Sequence, residues 1–159
     1  MIHAMKDEPR SDGSAAPNRE FDWCSRMVAG ECRTVFKKDH HHIAIRTPDS
    51  MPVHIGCCGT TLRLDFHDLG ESAPKRFWDG LFKVPQAREI IRFVNAQEGL
   101  FVVNCEAGIS RSAGVVLALR RFFGGDTEEV YKKAMPNIFV TSILFRALIS
   151  QRDVRKRPE

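Results

Sequence analysis

The fold turns on "LFVVNCEAGISRSAGVVLALRRFF", Leu100–Phe123. "LFVVN" is a short, continuous apolar run, the pattern of a strand buried on both faces. "SAGVVLALRRFF" is apolar nearly all round, the pattern of a buried helix, and Gly124–Gly125 stops it. Between the two lies a tight loop with Gly108 inside it, so Leu100–Phe123 reads as strand, loop, helix. A loop that runs into a helix N-terminus aims several backbone N–H groups at one point and forms an anion cradle.

Working outward, strand and helix patterns alternate. Ser25–Lys38 sets Met27, Val28, Cys32 and Val35–Phe36 roughly on one helical face. His42–Arg46 and Thr61–Phe66 alternate as strands, with "TPDS" as a turn after the first. Leu69–Pro85 holds Gly and Pro and reads as a long loop with one short turn; Gln86–Gln97 is an amphipathic helix started by Pro85. Asp126 or Thr127 caps a helix over "DTEEVYKKAM", and a last helix follows Pro136. Such alternation predicts a single α/β domain, with a central, mostly parallel twisted sheet and helices on both faces. Ligands of such sheets sit at the carboxyl ends of the strands, where Asn104–Cys105 lies.

Composition sets the frame. The chain has 159 residues, 43% of them hydrophobic, enough for one domain with a core. Residues 1–19 are polar and read as a disordered arm, 20–151 as the domain, and 152–159 as a basic tail. No apolar run has transmembrane length, and the N-terminal stretch lacks a signal-peptide core, so a cytoplasmic protein without membrane partners is expected. Five cysteines in no regular framework point to free thiols in a reducing compartment. A net charge of +4 is a mild excess that does not argue for nucleic acid. Oligomeric state is not legible.

The loop supplies the chemistry. Cys105 lies at its floor, and the positive field of the cradle favours its thiolate. Arg111 can hold two phosphate oxygens in bidentate fashion, and Ser112 can donate to the sulfur. Thiolate attack on phosphorus would give a phosphocysteine, split later by water. Cys57 and Arg63 share the Cys-to-Arg spacing but lack the strand before and the helix after.

"CEAGISRS" resembles the cysteine-dependent protein tyrosine phosphatases, most nearly their compact dual-specificity branch with its small bacterial and phage-type members. The likeness extends roughly from Ile43 to Leu148. It implies that Cys105 is the nucleophile, that the backbone amides of Glu106, Ala107, Gly108, Ile109, Ser110 and Arg111 bind phosphate, that Arg111 clamps it and that Ser112 assists the second step. "MPNIFV" resembles the family's Pro-Asn element, which makes Asn137 a brace of the site. The family also uses an aspartate on a separate loop as general acid. Asp68, just past the strand end, is the choice; Asp65 reads as a solvated strand residue, and Asp79 is the runner-up. No metal or cofactor is expected.

Two departures stand out. The family nearly always has histidine before the cysteine, and this chain has Asn104, which cannot carry charge; a less reactive nucleophile is implied. No segment resembles the phosphotyrosine-recognition loop of the larger enzymes, which favours a shallow, permissive pocket. The expected substrate is a phosphorylated protein or peptide carrying phosphotyrosine, with phosphoserine or phosphothreonine as further possibilities. A phosphoprotein-binding module without turnover, a phosphatase of phosphoinositides or RNA 5′ phosphates, and a sulfur-transfer or arsenate-reducing enzyme are the alternatives. His40, His41 and His42 alternate faces in a strand and make a poor chelate. Cys24 and Cys32 carry no zinc spacing.

Overall fold

The computed structural model describes residues 18–31, 39–52, 55 and 59–155, with side chains as far as Arg152. The elements run β1 (Arg19–Ser25), α1 (Arg26–Gly30), β2 (His40–Arg46), β3 (Thr61–Asp65), a 3-10 helix (Lys75–Gly80), α2 (Val84–Asn95), β4 (Gly99–Cys105), α3 (Arg111–Phe123), α4 (Thr127–Lys133) and α5 (Ile138–Arg155). The four strands form one sheet in the order β1-β4-β2-β3, and each neighbouring pair is parallel.

β4 is central because its sequence tolerates burial on both sides: Leu100 through Cys105 are all buried. Phe101 and Val103 face one side, where they meet Phe21, Ile43, Ile45 and Leu64 from the other strands. Helices α2 to α5 cover that side. α2 contributes Ala87, Ile90, Ile91 and Val94, a stripe at helical spacing. α3 is buried from Arg111 through Leu119, because it lies between the sheet and α5. The opposite side of β4 presents Leu100 and Val102, which with Cys24 pack on Ala29 of α1.

Several boundaries differ from those the sequence predicts. β1 is not foreseen by any strand pattern. Only Phe21 and Cys24 in it are buried, three residues apart, so period-two alternation is missing. What makes it a strand is pairing with β4, from Arg19↔Gly99 to Ser25↔Cys105. The helix expected over Ser25–Lys38 is one short turn, with Ser25 as N-cap accepting from the Val28 N–H at 3.4 Å; residues 32–38 lie outside the described residues. The expected short turn in the long loop is the 3-10 helix. Its base is pinned: Phe66 and Phe82 rings lie 4.8 Å apart, and the His67 N–H donates to the Gly80 carbonyl at 2.7 Å.

Candidate active site

Each strand's carboxyl end faces the same edge of the sheet, and the site assembles there. β4 ends at Cys105, and the loop from Glu106 to Ser110 leads into α3. Gly108 sets the loop's shape. It has φ of +71°, and a Cβ on it would lie 2.5 Å from the Ser25 nitrogen and 2.6 Å from the Cys24 carbonyl carbon. Only glycine fits this left-handed, close-packed position.

The loop's carbonyls are turned towards its neighbours. Glu106 O accepts from the Arg26 N–H at 3.1 Å, Ile109 O from Met135 at 3.1 Å, and Ser110 O from Asn137 at 3.0 Å. The Glu106 carboxylate also pairs with Arg26 at 3.1 Å. Among the described residues, no N–H from Ala107 to Arg111 donates to a backbone carbonyl. The peptide groups thus leave these donors without a backbone partner, which suits them to an anion.

Inside the loop, Cys105 is buried and its Sγ lies 3.1 Å from Ser112 Oγ, which is also buried. Arg111 is only 4% exposed. Its Nη1 donates to the Phe66 carbonyl at 2.8 Å and to Thr47 Oγ1 at 3.1 Å. Nε is buried, and among the described residues it has no partner and no carboxylate is paired with this guanidinium. An always-charged group with an unused donor and no counter-ion has the chemistry to hold an anion.

Asp68 reaches the loop from the far end of β3. Its Oδ1 accepts from Ser110 Oγ at 2.7 Å and from Asn137 Nδ2 at 2.9 Å. Both donors converge on one oxygen, and Oδ2 makes no hydrogen bond among the described residues. Asn137 also bonds the loop through its backbone, caps the start of α5 by accepting from the Val140 N–H at 3.2 Å, and so joins three elements.

Similarity of fold follows from this arrangement. Solved structures that resemble the chain include DUSP15, with a TM-score of 0.54 and 20% identity over 92% of this chain and 96% of that one. Human DUSP28 gives 0.52 and 18%, over 84% and 94%. PTPMT1 in complex with PI(5)P gives 0.50 and 14%, over 84% and 91%. The chain has the dual-specificity phosphatase fold. No family model and no curated protein matches the sequence.

In this phosphatase fold the residues singled out from the sequence fall in and around one loop: Cys105 meets Ser112, Asp68 meets Ser110 and Asn137, and Arg111 bonds the Phe66 carbonyl and Thr47. The other two aspartates lie elsewhere in the network. Asp65 is bound bidentately by Arg46, with Nη2 to Oδ2 at 2.7 Å. Asp79 is exposed, pairs with Lys83 at 3.8 Å, and has no hydrogen bond to the loop among the described residues. Two clefts, one along Ala44–Arg46 and β3 and one between Trp78 and Ile143, both exclude Cys105.

Three participants were not singled out for what they do here. Thr47 holds Arg111. The hydroxyl of Ser110, a residue chosen for its amide, orients Asp68. His42, buried, pairs through Nε2 with Asn104 Oδ1 at 2.7 Å. Burial, with help from His40 and Arg63, pushes the His42 imidazole from 6.5 down to about 4, against the raising effect of its bond to Asn104. The ring is therefore neutral near pH 7, and as donor to an amide oxygen it carries its proton on Nε2. His41, between His40 and His42 in sequence, lies on the other side and meets Thr60 Oγ1 at 2.9 Å and the Glu98 carbonyl at 3.1 Å. Position in a strand gave the alternation; nothing local pointed to the partner Asn104, sixty-two residues away.

Proposed function

We propose that this chain is a cysteine-dependent phosphatase of phosphorylated proteins, acting first on phosphotyrosine. The observation that carries the reading is the buried Arg111, next in the chain to the Ser112 that meets Cys105, with a free Nε and no carboxylate partner among the described residues. A phosphoryl dianion supplies the missing counter-charge, and the loop amides take its remaining oxygens. In the first step, the Cys105 thiolate attacks phosphorus while Asp68 Oδ2 gives its proton to the leaving oxygen. In the second, Asp68 takes a proton from water as water attacks the phosphocysteine, and the Ser112 hydroxyl donates to the departing sulfur. Asn104 and Asn137 are supporting residues.

Both phosphotyrosine and phosphoserine or phosphothreonine peptides belong in the screen. So does a phosphoinositide, since PTPMT1 shares the fold and was crystallised with PI(5)P. Among the described residues no helix is long and apolar enough to cross a membrane. We place the activity in the cytoplasm, on the grounds of the unframed cysteines, and in a domain spanning 20–151.

The test is phosphate release from an aryl phosphate across pH, for the native chain and for Cys105→Ser. Turnover that the substitution abolishes and vanadate blocks is the expected result. Oxyanion binding with no turnover in the native chain would replace the enzyme by a phosphate-binding module.

A further inference from the structure

Arg111 is held from one side only. Of its three nitrogens, Nη1 alone has partners, the Phe66 carbonyl and the Thr47 hydroxyl. Neither Nε nor Nη2 makes a hydrogen bond among the described residues. A guanidinium can meet an oxyanion along its Nε–Nη2 edge or along its Nη1–Nη2 edge, and the two present different directions. Occupying Nη1 removes the second option.

Thr47 is itself held in place. It follows Arg46, the last residue of β2, and its carbonyl accepts from the Ser50 N–H at 3.1 Å and from Ser50 Oγ at 2.7 Å. Arg46 is fixed to Asp65 and donates through Nη1 to the Ser50 carbonyl at 3.0 Å. The turn "TPDS" is thus closed on both sides, with Asp49 at φ of +65°.

We propose that Thr47 is a positioning residue: its hydroxyl fixes which edge of Arg111 faces the phosphoryl group. This rests on the reading of Arg111 as the phosphate ligand. The chemistry of the clamp matters as much as its place. A hydroxyl and a carbonyl accept from Nη1 without neutralising it, so the full positive charge stays available to the substrate. A carboxylate here would hold the same edge and cancel that charge. Because the Phe66 carbonyl belongs to the backbone, Thr47 is the half of the clamp that a side chain supplies.

The experiment compares Thr47→Val, which keeps the shape and removes the hydroxyl, with Thr47→Ser, which restores it. Thr47→Ala serves as a second deletion should valine fold poorly. Vanadate affinity, kcat and KM on an aryl phosphate, and the thermal midpoint are read for each in the full chain. Loss of one such bond to a charged group predicts a roughly 10- to 100-fold fall in vanadate affinity and kcat/KM for valine and alanine. Serine should stay within about threefold of native in affinity and return the midpoint to the native value, whereas valine and alanine lower the midpoint as well, because the bond to Arg111 is already present without ligand. Native affinity in both deletion variants would overturn the proposal, as would a loss that serine fails to restore. Failure of the native chain to bind vanadate would overturn the phosphate-site reading and the proposal with it. Binding without turnover would overturn only the phosphatase reading, since the affinities still decide the role of Thr47.

Discussion

At the scale of single residues, Arg111 bonds only neutral partners, the Phe66 carbonyl and the Thr47 hydroxyl, while Asp68 accepts from both Ser110 and Asn137 on one oxygen. The role of Asp68 can be read through the leaving group. Asp68→Asn should slow release of an unactivated phenol, such as tyrosine, by roughly 100-fold or more, while an activated nitrophenol that leaves without a proton loses far less. Equal losses on both, in steady-state kcat, would remove Asp68 from the proton path. Beneath the cysteine, His42 and Asn104 form a second kind of pair, neutral and buried. Because His42 titrates near 4 in the fold and near 6.5 when unfolded, the unfolded chain binds more protons between those values. Stability is therefore present in full above about pH 6.5 and falls as pH drops towards 4, by roughly 3 kcal/mol from this group alone. Denaturant unfolding across that range should show the slope, and His42→Gln should flatten it. An unchanged slope in the glutamine variant would move its source to other groups.

At the scale of elements, the site depends on how closely α3, α5 and the loop approach one another, and glycines set those distances. Gly114 in α3 sits against the start of α5: a Cβ there would lie 2.7 Å from the Asn137 carbonyl oxygen. Thr141 Oγ1 reaches back to the Gly114 carbonyl at 2.9 Å, so the two helices are bonded where they are closest. Gly114→Ala should push Asn137 outward and loosen its grip on Asp68, lowering kcat on a poor leaving group by about tenfold or more while Cys105 alkylation stays near native. Gly108→Ala should act on the other half, since its left-handed backbone and contact with Cys24–Ser25 leave no room for a methyl group; alkylation and oxyanion binding should both fail. If the two variants lose the same functions, the division of the site between loop and α5 is wrong. These elements were the ones most legible in the sequence. β4, the loop and α3 are specified by neighbours in the chain: an apolar run, a glycine turn, a helix without a polar face. β1 was not legible, because its strand character comes from β4, about eighty residues away in register.

At the scale of the whole molecule, four chain segments meet at one edge of the sheet: the turn after β2, the loop after β3, the loop after β4 and the start of α5. Parallel strands make this convergence a general property, so a residue directly following a strand is a site candidate even where its local pattern says only "turn". That rule would have found Thr47 after Arg46, as the strand end found Asp68. Partner identity stayed hidden, because hydrogen bonds such as Thr47 to Arg111 and His42 to Asn104 join residues more than sixty positions apart. The same convergence makes ligand binding a matter of global stability. An oxyanion held by Arg111 and the loop amides would join these segments where a buried guanidinium has no carboxylate partner among the described residues. Vanadate at about 100 times its dissociation constant should therefore add about 2.7 kcal/mol to the folded state. For a domain of this length, that is an upward shift of roughly 5–10 °C in the thermal midpoint. Arg111→Ala should abolish the shift while leaving the ligand-free midpoint unchanged or raised, because the buried charge goes with the side chain. A shift that survives in Arg111→Ala would place the anion elsewhere on the protein.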